Sequence, residues 1–308
     1  MKTERKFYNL SKDWIYRNAR PVDFARWQYH FEDGPVENVL AALDSYQNTD
    51  GGFAHALEAD SWNPNSSPIQ TWAATEILRE ININDKQNGI VQGILRYLDS
   101  GKDFFEGAWQ CTVPTNNDYP HAPWWQWVKN NRRYNPTASL CGFIVKFADK
   151  NSDLFSKGVR IAKEAVEHFL LTDDIHVTGD GHVKLCYLQL KQYCEEANEI
   201  DIVDFTDISK KILNSINIDD SNLDWCCDGI IHEFIKTFRN DIDLISSGAD
   251  IVKTVCDYMV ENQQSDGTWN IPWGWNDYQE QWAISKNWWK AGGIIGNMLF
   301  LKQSGYIK

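Results

Sequence analysis

Apolar residues recur three and four positions apart through most of the chain, while the alternation expected of strands is scarce. That spacing puts one apolar stripe on a helix of 3.6 residues per turn. It predicts helices over 36–47, 67–81, 90–100, 136–149, 158–171, 182–197, 208–216, 228–238, 249–263 and 290–303, with a further one near 11–28. Ser67-Pro68 and Asn135-Pro136 place proline at a first helical turn, where its missing N–H costs nothing. Connections are mostly short, so neighbouring helices are expected to pair antiparallel.

An internal repeat lies on top of this rhythm. QNTDGGF at 47–53 and QQSDGTW at 263–269 share Gln, three residues, Gly, one residue and a large aromatic. Each follows an amphipathic stretch with a tyrosine just upstream, Tyr46 or Tyr258. YLDSGKDFFEGAW at 97–109 reads as a third copy that keeps Gly107-x-Trp109 and lacks the Gln. An Asp-Gly turn ends a helix with a backbone that Gly adopts freely, and the Gln amide can tie the loop backbone by hydrogen bonds. At roughly 50 residues per helix pair, the chain holds about six pairs. A ring of such pairs can close on itself, with one set of helices inside and one outside. The expected fold is therefore all-α, a single (α/α)5-6 toroid domain spanning 1–308.

Composition changes this picture in one respect. The chain has 15 Trp, and 12 of them fall in the windows 53–72, 109–127 and 269–289, immediately after the three turns. Indole offers a large apolar face with a single N–H donor and suits the lining of a cavity. The remaining counts mostly exclude. With 30 Lys+Arg against 43 Asp+Glu the net charge is −13, which argues against a nucleic-acid partner, KNNRR at 129–133 being the nearest basic cluster. No stretch approaches the ~18 apolar residues of a transmembrane segment, and MKTERKFYNL lacks the apolar core of a secretory signal, so a cytoplasmic location is expected. Cys111, Cys141, Cys186, Cys194, Cys226, Cys227 and Cys256 form no CxxC pair, and reduced thiols are the default. No Walker loop, dinucleotide fingerprint or Ser-His-Asp order is present. The oligomeric state is left open.

The segment Tyr258-Met259-x-x-x-Gln263-x-x-x-Gly267-x-Trp269 resembles the QW repeats of the α/α-toroid superfamily, which includes squalene and other terpene cyclases and the β subunits of protein prenyltransferases. DGGFAHALEADSWNPNSSPIQTW at 50–72 is similar to a group of bacterial cyclase-like proteins. The resemblance implies the toroid and an apolar central cavity for an isoprenoid-type small molecule. It does not extend to the Asp-x-Asp-Asp acid motif of class II cyclases: Leu171-Thr172-Asp173-Asp174 and Ile218-Asp219-Asp220 lack its first Asp. Asp219-Asp220-x-x-x-Asp224 is one residue too long for the magnesium-binding motif of class I enzymes. Prenyltransferases bind zinc through Asp, Cys and His, which Cys226, Cys227, Asp228 and His232 could supply. Mg or Zn is thus left open, with no complete motif and no metal ligand assigned.

If the ring forms, the loops after the turns converge on one mouth of its cavity. The candidate acid–base residues there are His55, Glu58 and Asp60 from the first copy and Asp277 from the last. Candidate ligand-binding residues are Trp62, Trp72, His121, Trp124, Trp125, Trp273, Trp275 and Trp288. Indole faces stabilise developing positive charge, and a desolvated carboxyl can serve as proton donor. The leading expectation is an isoprenoid-binding cyclase- or isomerase-like toroid. The alternatives are a carbohydrate-active α/α barrel using Asp60 and Asp277 as paired carboxylates, and a non-catalytic binding protein.

Overall fold

The structure is a computed structural model that describes residues 2–129, 134–173, 181–215, 235 and 249–307. Eleven α-helices and one small hairpin are present among them. The helices are α1 (Lys2–Asn18), α2 (Pro21–Phe31), α3 (Val36–Asp44), α4 (Pro68–Glu80), α5 (Gly89–Asp99), α6 (Thr137–Phe147), α7 (Asp153–Leu171), α8 (Gly181–Glu196), α9 (Thr206–Ser215), α10 (Ala249–Glu261) and α11 (Gln279–Gln303). The hairpin pairs β1 (Phe104–Phe105) with β2 (Ala108–Trp109). The chain gathers into two compact units, one formed by Asp44–Asn217 and the other by Met1–Leu43 with Ile218–Lys308.

Within the Asp44–Asn217 unit, α6 packs against both α7 and α8. Every residue of α6 except Lys146 is buried, and Val183 to Leu190 of α8 are buried without a break. A helix apolar on all sides belongs in the middle of a core. α5 and α7 instead bury one stripe; in α7 it runs through Leu154, Gly158, Ile161, Ala165 and Phe169. Helices buried nearly all round (α4, α6, α8) thus alternate along the chain with one-sided helices (α5, α7). Close approach of α6 and α8 depends on Gly142, where a Cβ would fall 2.7 Å from the Tyr193 ring and 3.0 Å from the Leu190 Cα. Starts follow capping chemistry: Ser67 accepts from the Gln70 N–H ahead of Pro68, Asn88 caps α5 and Ser152 caps α7.

The other unit is built on α1, α2 and α11, which pack on one another. Two boundaries differ from the sequence reading. The segment expected as one helix near 11–28 is two, because Pro21 starts a new helix and disfavours helical backbone at Arg20, which is extended (φ −64°, ψ 157°). α11 begins at Gln279, eleven residues before the expected start at 290. Its first half has no continuous apolar stripe, since only Ser285 is buried between Gln279 and Lys290, and periodicity cannot register a helix that buries so little. The helix expected over 228–238 lies outside the described residues apart from Ile235.

Candidate functional site

The two Gln-containing turns have one geometry. In the first, Asn48 N–H donates to the Gly52 carbonyl (2.8 Å) and Gly51 N–H to the Asn48 carbonyl (2.9 Å). In the last, Gln264 N–H donates to Thr268 (2.8 Å) and Gly267 N–H to Gln264 (2.9 Å). Gly51 and Gly267 sit at φ +90° and +91°, where L-side chains are strained. The Asp50 and Asp266 carboxylates accept from the Gly52 and Thr268 N–H groups at 3.0 Å each. Burial pushes both carboxyls up. Hydrogen bonds from Ser66, Lys102 and the Gly52 N–H outweigh this at Asp50, as do those of Thr268 with help from Lys290 at Asp266, and both end below the usual value. The Gln side chains do the tying: Gln47 Nε2 donates to the Gly51 and Ile90 carbonyls (2.9 and 3.1 Å), and Gln263 Nε2 to Ser11 Oγ and the Phe7 carbonyl (2.9 and 3.2 Å).

The third copy is not the same turn. Glu106 (φ 49°) and Gly107 (φ 85°) form the two-residue bend of the β1–β2 hairpin, in which both central residues are left-handed, unlike Asp50-Gly51. The Gly-x-Trp spelling is shared, but the hairpin replaces the Gln tie. Asp103, not singled out from the sequence, lies beside this hairpin and accepts from Tyr97 Oη (2.9 Å). Burial raises its carboxyl above the usual range against the opposing effect of that hydrogen bond and of Lys102.

Beyond the first turn, residues 53–67 form a loop locked from inside. Gln70, fully buried on α4, accepts from the Glu58 N–H (2.8 Å) and donates to the Ser61 carbonyl (2.7 Å). Glu58 turns its carboxylate back on its own loop, accepting from the Asp60 N–H (3.0 Å). Asn63 donates to Thr115 Oγ1 (2.8 Å) and Asn116 Oδ1 (2.9 Å), and Asn116 to the Trp125 carbonyl (2.9 Å). His55 and Ala56 both hold left-handed φ (60° and 57°), strain that persists only where the surroundings over-determine the backbone. Here the His55 N–H bonds to Asn63, while Nε2 donates to Asn48 Oδ1 (3.0 Å).

The structure joins this loop to the Trp-rich segment after β2. Trp62 N–H donates to the Pro120 carbonyl (3.0 Å), Ala122 N–H to the Asp60 carbonyl (2.9 Å), and Ser61 bridges His121. Asp60, Trp62, His121, Trp124 and Trp125 therefore belong to one wall. Asp60 is 1% exposed and Glu58 6%, while His55 is exposed. Trp62, Trp124 and His121 are partly exposed, with His121 Nδ1 donating to the Tyr119 carbonyl (2.7 Å). Trp125 is buried; its indole N–H and the Ser61 hydroxyl have no hydrogen-bond partner among the described residues. Trp72 belongs to the core of the unit rather than its surface: it is buried, donates to Gln189 Oε1 (3.0 Å) and lies 5.5 Å from the His182 ring.

In the unit containing α11, the loop after the last turn carries a different mixture. Trp273 meets Trp289 edge-on at 5.2 Å, Trp275 packs against Trp282 at 5.7 Å, and the Arg20 guanidinium lies 5.2 Å from the Trp288 ring centre. Trp275 is buried, whereas Trp273, Trp282, Trp288 and Trp289 are partly exposed. Asp277 is exposed, in contrast to Asp60. Asp277 lies just before Tyr278, the N-cap of α11, whose first turn is open to solvent.

Among the described residues, no group of three His, Cys, Asp or Glu side chains is placed to hold a metal ion, and no helix is long and apolar enough to cross a membrane. Cys226, Cys227, Asp228 and His232, like Asp219, Asp220 and Asp224, lie outside them. An open depression of about 510 Å³ lined by Tyr134, Glu164, Glu167, His168, Leu171 and Thr172 contains none of the candidate site residues. No protein-family model, curated protein or solved structure matches the chain.

Proposed function

We propose that this protein is an α/α toroid that binds a hydrophobic, isoprenoid-type small molecule against partly exposed indole faces, with Asp60 as the acid–base group of a cyclase- or isomerase-like reaction. The observation that carries the proposal is where the tryptophans are spent. Eight of the fourteen described tryptophans are partly exposed, and all eight follow the repeat turns in sequence. Partly open indole faces gathered in these stretches supply large apolar surface on which a hydrophobic ligand can pack. Gln70 and Glu58, by contrast, are engaged with the backbone of the 53–67 loop, and Asn63 and Asn116 with the bonds that join it to the segment after β2. What this wall offers a ligand is therefore aromatic. The buried Asp60 carboxyl behind it has the setting of a proton donor or acceptor kept from bulk water. The repeated turns and the alternation of all-round-buried with one-sided helices support the toroid.

Thermal shift with isoprenoid diphosphates against oligosaccharides, each with and without Mg²⁺ or Zn²⁺, tests the reading. Stabilisation by the isoprenoid series, abolished by Trp62→Ala and Trp124→Ala together, is the expected result. Stabilisation by oligosaccharides alone would replace it with the carbohydrate alternative, and no shift by either would leave a scaffold. With a ligand in hand, Asp60→Asn should remove turnover and change the melting temperature little, because the bond by which residue 60 joins the two loops runs through its backbone carbonyl, which accepts from the Ala122 N–H.

A further inference from the structure

The last repeat is completed by a helix from the opposite end of the sequence. In the first copy the Gln turn ties to α5: Gln47 Nε2 reaches the Ile90 carbonyl, and a Cβ on Gly51 would fall 2.0 Å from the Gly93 oxygen. In the last copy the same atoms tie to α1: Gln263 Nε2 reaches the Phe7 carbonyl, and a Cβ on Gly267 would fall 2.4 Å from the Leu10 oxygen. Ile90 and Gly93 are three residues apart, as are Phe7 and Leu10, so the two helices meet their turns in one register. Carried one turn further, that register matches the buried Tyr97 of α5 with the buried Trp14 of α1. Ser11 adds bonds that the first copy lacks, accepting from Gln263 Nε2 (2.9 Å) and donating to the Gly267 carbonyl (3.0 Å) across 256 residues, while the Phe7 ring meets Trp269 edge-on at 5.5 Å.

We infer that α1 serves the last repeat as α5 serves the first, and that Gln263, Gly267 and Trp269 form a docking face for one amphipathic helix, which the chain fills with its own residues Lys2–Asn18. In sequence the repeat is permuted: α10 and α11 supply their part at one end, and the helix that belongs after α11 comes from the other. α1 also packs on α11. Nothing covalent near the turn holds α1 there. The contact is a clasp, formed only when segments about 250 residues apart meet, and opened by anything that shifts the α1 backbone near Leu10.

The test uses the full chain with a protease site inserted between Asn18 and Pro21. After cleavage, α1 should co-elute with the remainder as one monomeric complex. With Gly267→Ala the added methyl collides with the Leu10 backbone, and with Ser11→Ala two hydrogen bonds are lost, enough to speed release of the cut fragment by about 10- to 30-fold. Tyr16→Phe on the same helix removes instead a bond to Glu32 (2.6 Å), and any faster release it causes should be independent of Gln263. A double-mutant cycle should find coupling for Ser11→Ala with Gln263→Ala and none for Tyr16→Phe with Gln263→Ala. Equal release rates in all cut variants, or absence of Ser11–Gln263 coupling, would overturn the inference. A dimer exchanging α1 between copies would overturn the occupancy by the chain's own helix.

Discussion

Replacing Gly51 with alanine tests the repeat turn most directly, because three costs can be worked out from the structure. At φ +90° an alanine carries the left-handed penalty of roughly 1–2 kcal/mol. Its methyl would also sit 2.0 Å from the Gly93 oxygen and 2.6 Å from the Gly93 carbonyl carbon. These are backbone atoms of α5 that cannot swing aside, so the turn must lift off the helix at an overpacking cost of about 1–3 kcal/mol. Lifting breaks the reach of Gln47 to Ile90, worth about 1 kcal/mol. The sum is about 3–6 kcal/mol. Gly101 is the control: its φ is +71° but nothing lies within 4 Å of an added methyl, so Gly101→Ala carries the backbone penalty alone. At roughly 3 °C per kcal/mol for a unit of this size, Gly51→Ala should lower the melting temperature by about 10 °C or more, and Gly101→Ala by about 4 °C. Thermal unfolding followed by indole fluorescence and by circular dichroism measures both. Variants that melt within about 2 °C of each other would refute the argument that the turn is pinned against α5.

Three further expectations rest on other observations. Gln70→Ala removes both amide bonds to the 53–67 loop and should cost about 1–3 kcal/mol in urea denaturation, with faster hydrogen exchange at 58–62; unchanged exchange there would show that the loop is held by something else. The Asp50 and Asp266 carboxylates are held below their usual value, so the stability they contribute is complete above about pH 4 and is lost as the pH falls through their folded values; Asp50→Asn with Asp266→Asn should flatten the acid limb of a stability–pH curve, and a parallel shift with the slope retained would contradict this. Burial pushes the thiols of Cys194 and Cys256 up to about 12 and about 11, so neither should react with a thiol reagent at pH 8 until the protein unfolds, as mass spectrometry of the labelled sites would show.

What is local in this protein can be read from the chain. Helix positions follow from the 3.6-residue stripe because a one-sided helix such as α7 writes its burial into its spacing. The Gln turn is legible because Gln47 and Gly51, or Gln263 and Gly267, bond within five residues, and a left-handed position there favours Gly. Even locally the pattern misleads where two backbones share a spelling, as with Gly107-x-Trp109, which is a hairpin. The start of α11 is illegible because a helix that exposes its first turns has no stripe to read. Everything else waited on long-range packing. Asp60, Glu58, Trp62 and His121 could be named as polar and aromatic residues in loops, but it is the pairing of 60–62 with 120–122 that makes them one wall, buries Asp60 and leaves the indoles partly open. Asp277, chosen by the same repeat logic, is exposed because burial depends on neighbours distant in sequence. Nor does any spacing announce that Gln263 bonds to Ser11 and Phe7: a backbone carbonyl carries no residue identity, and a partner some 250 residues away is selected by packing rather than by pattern.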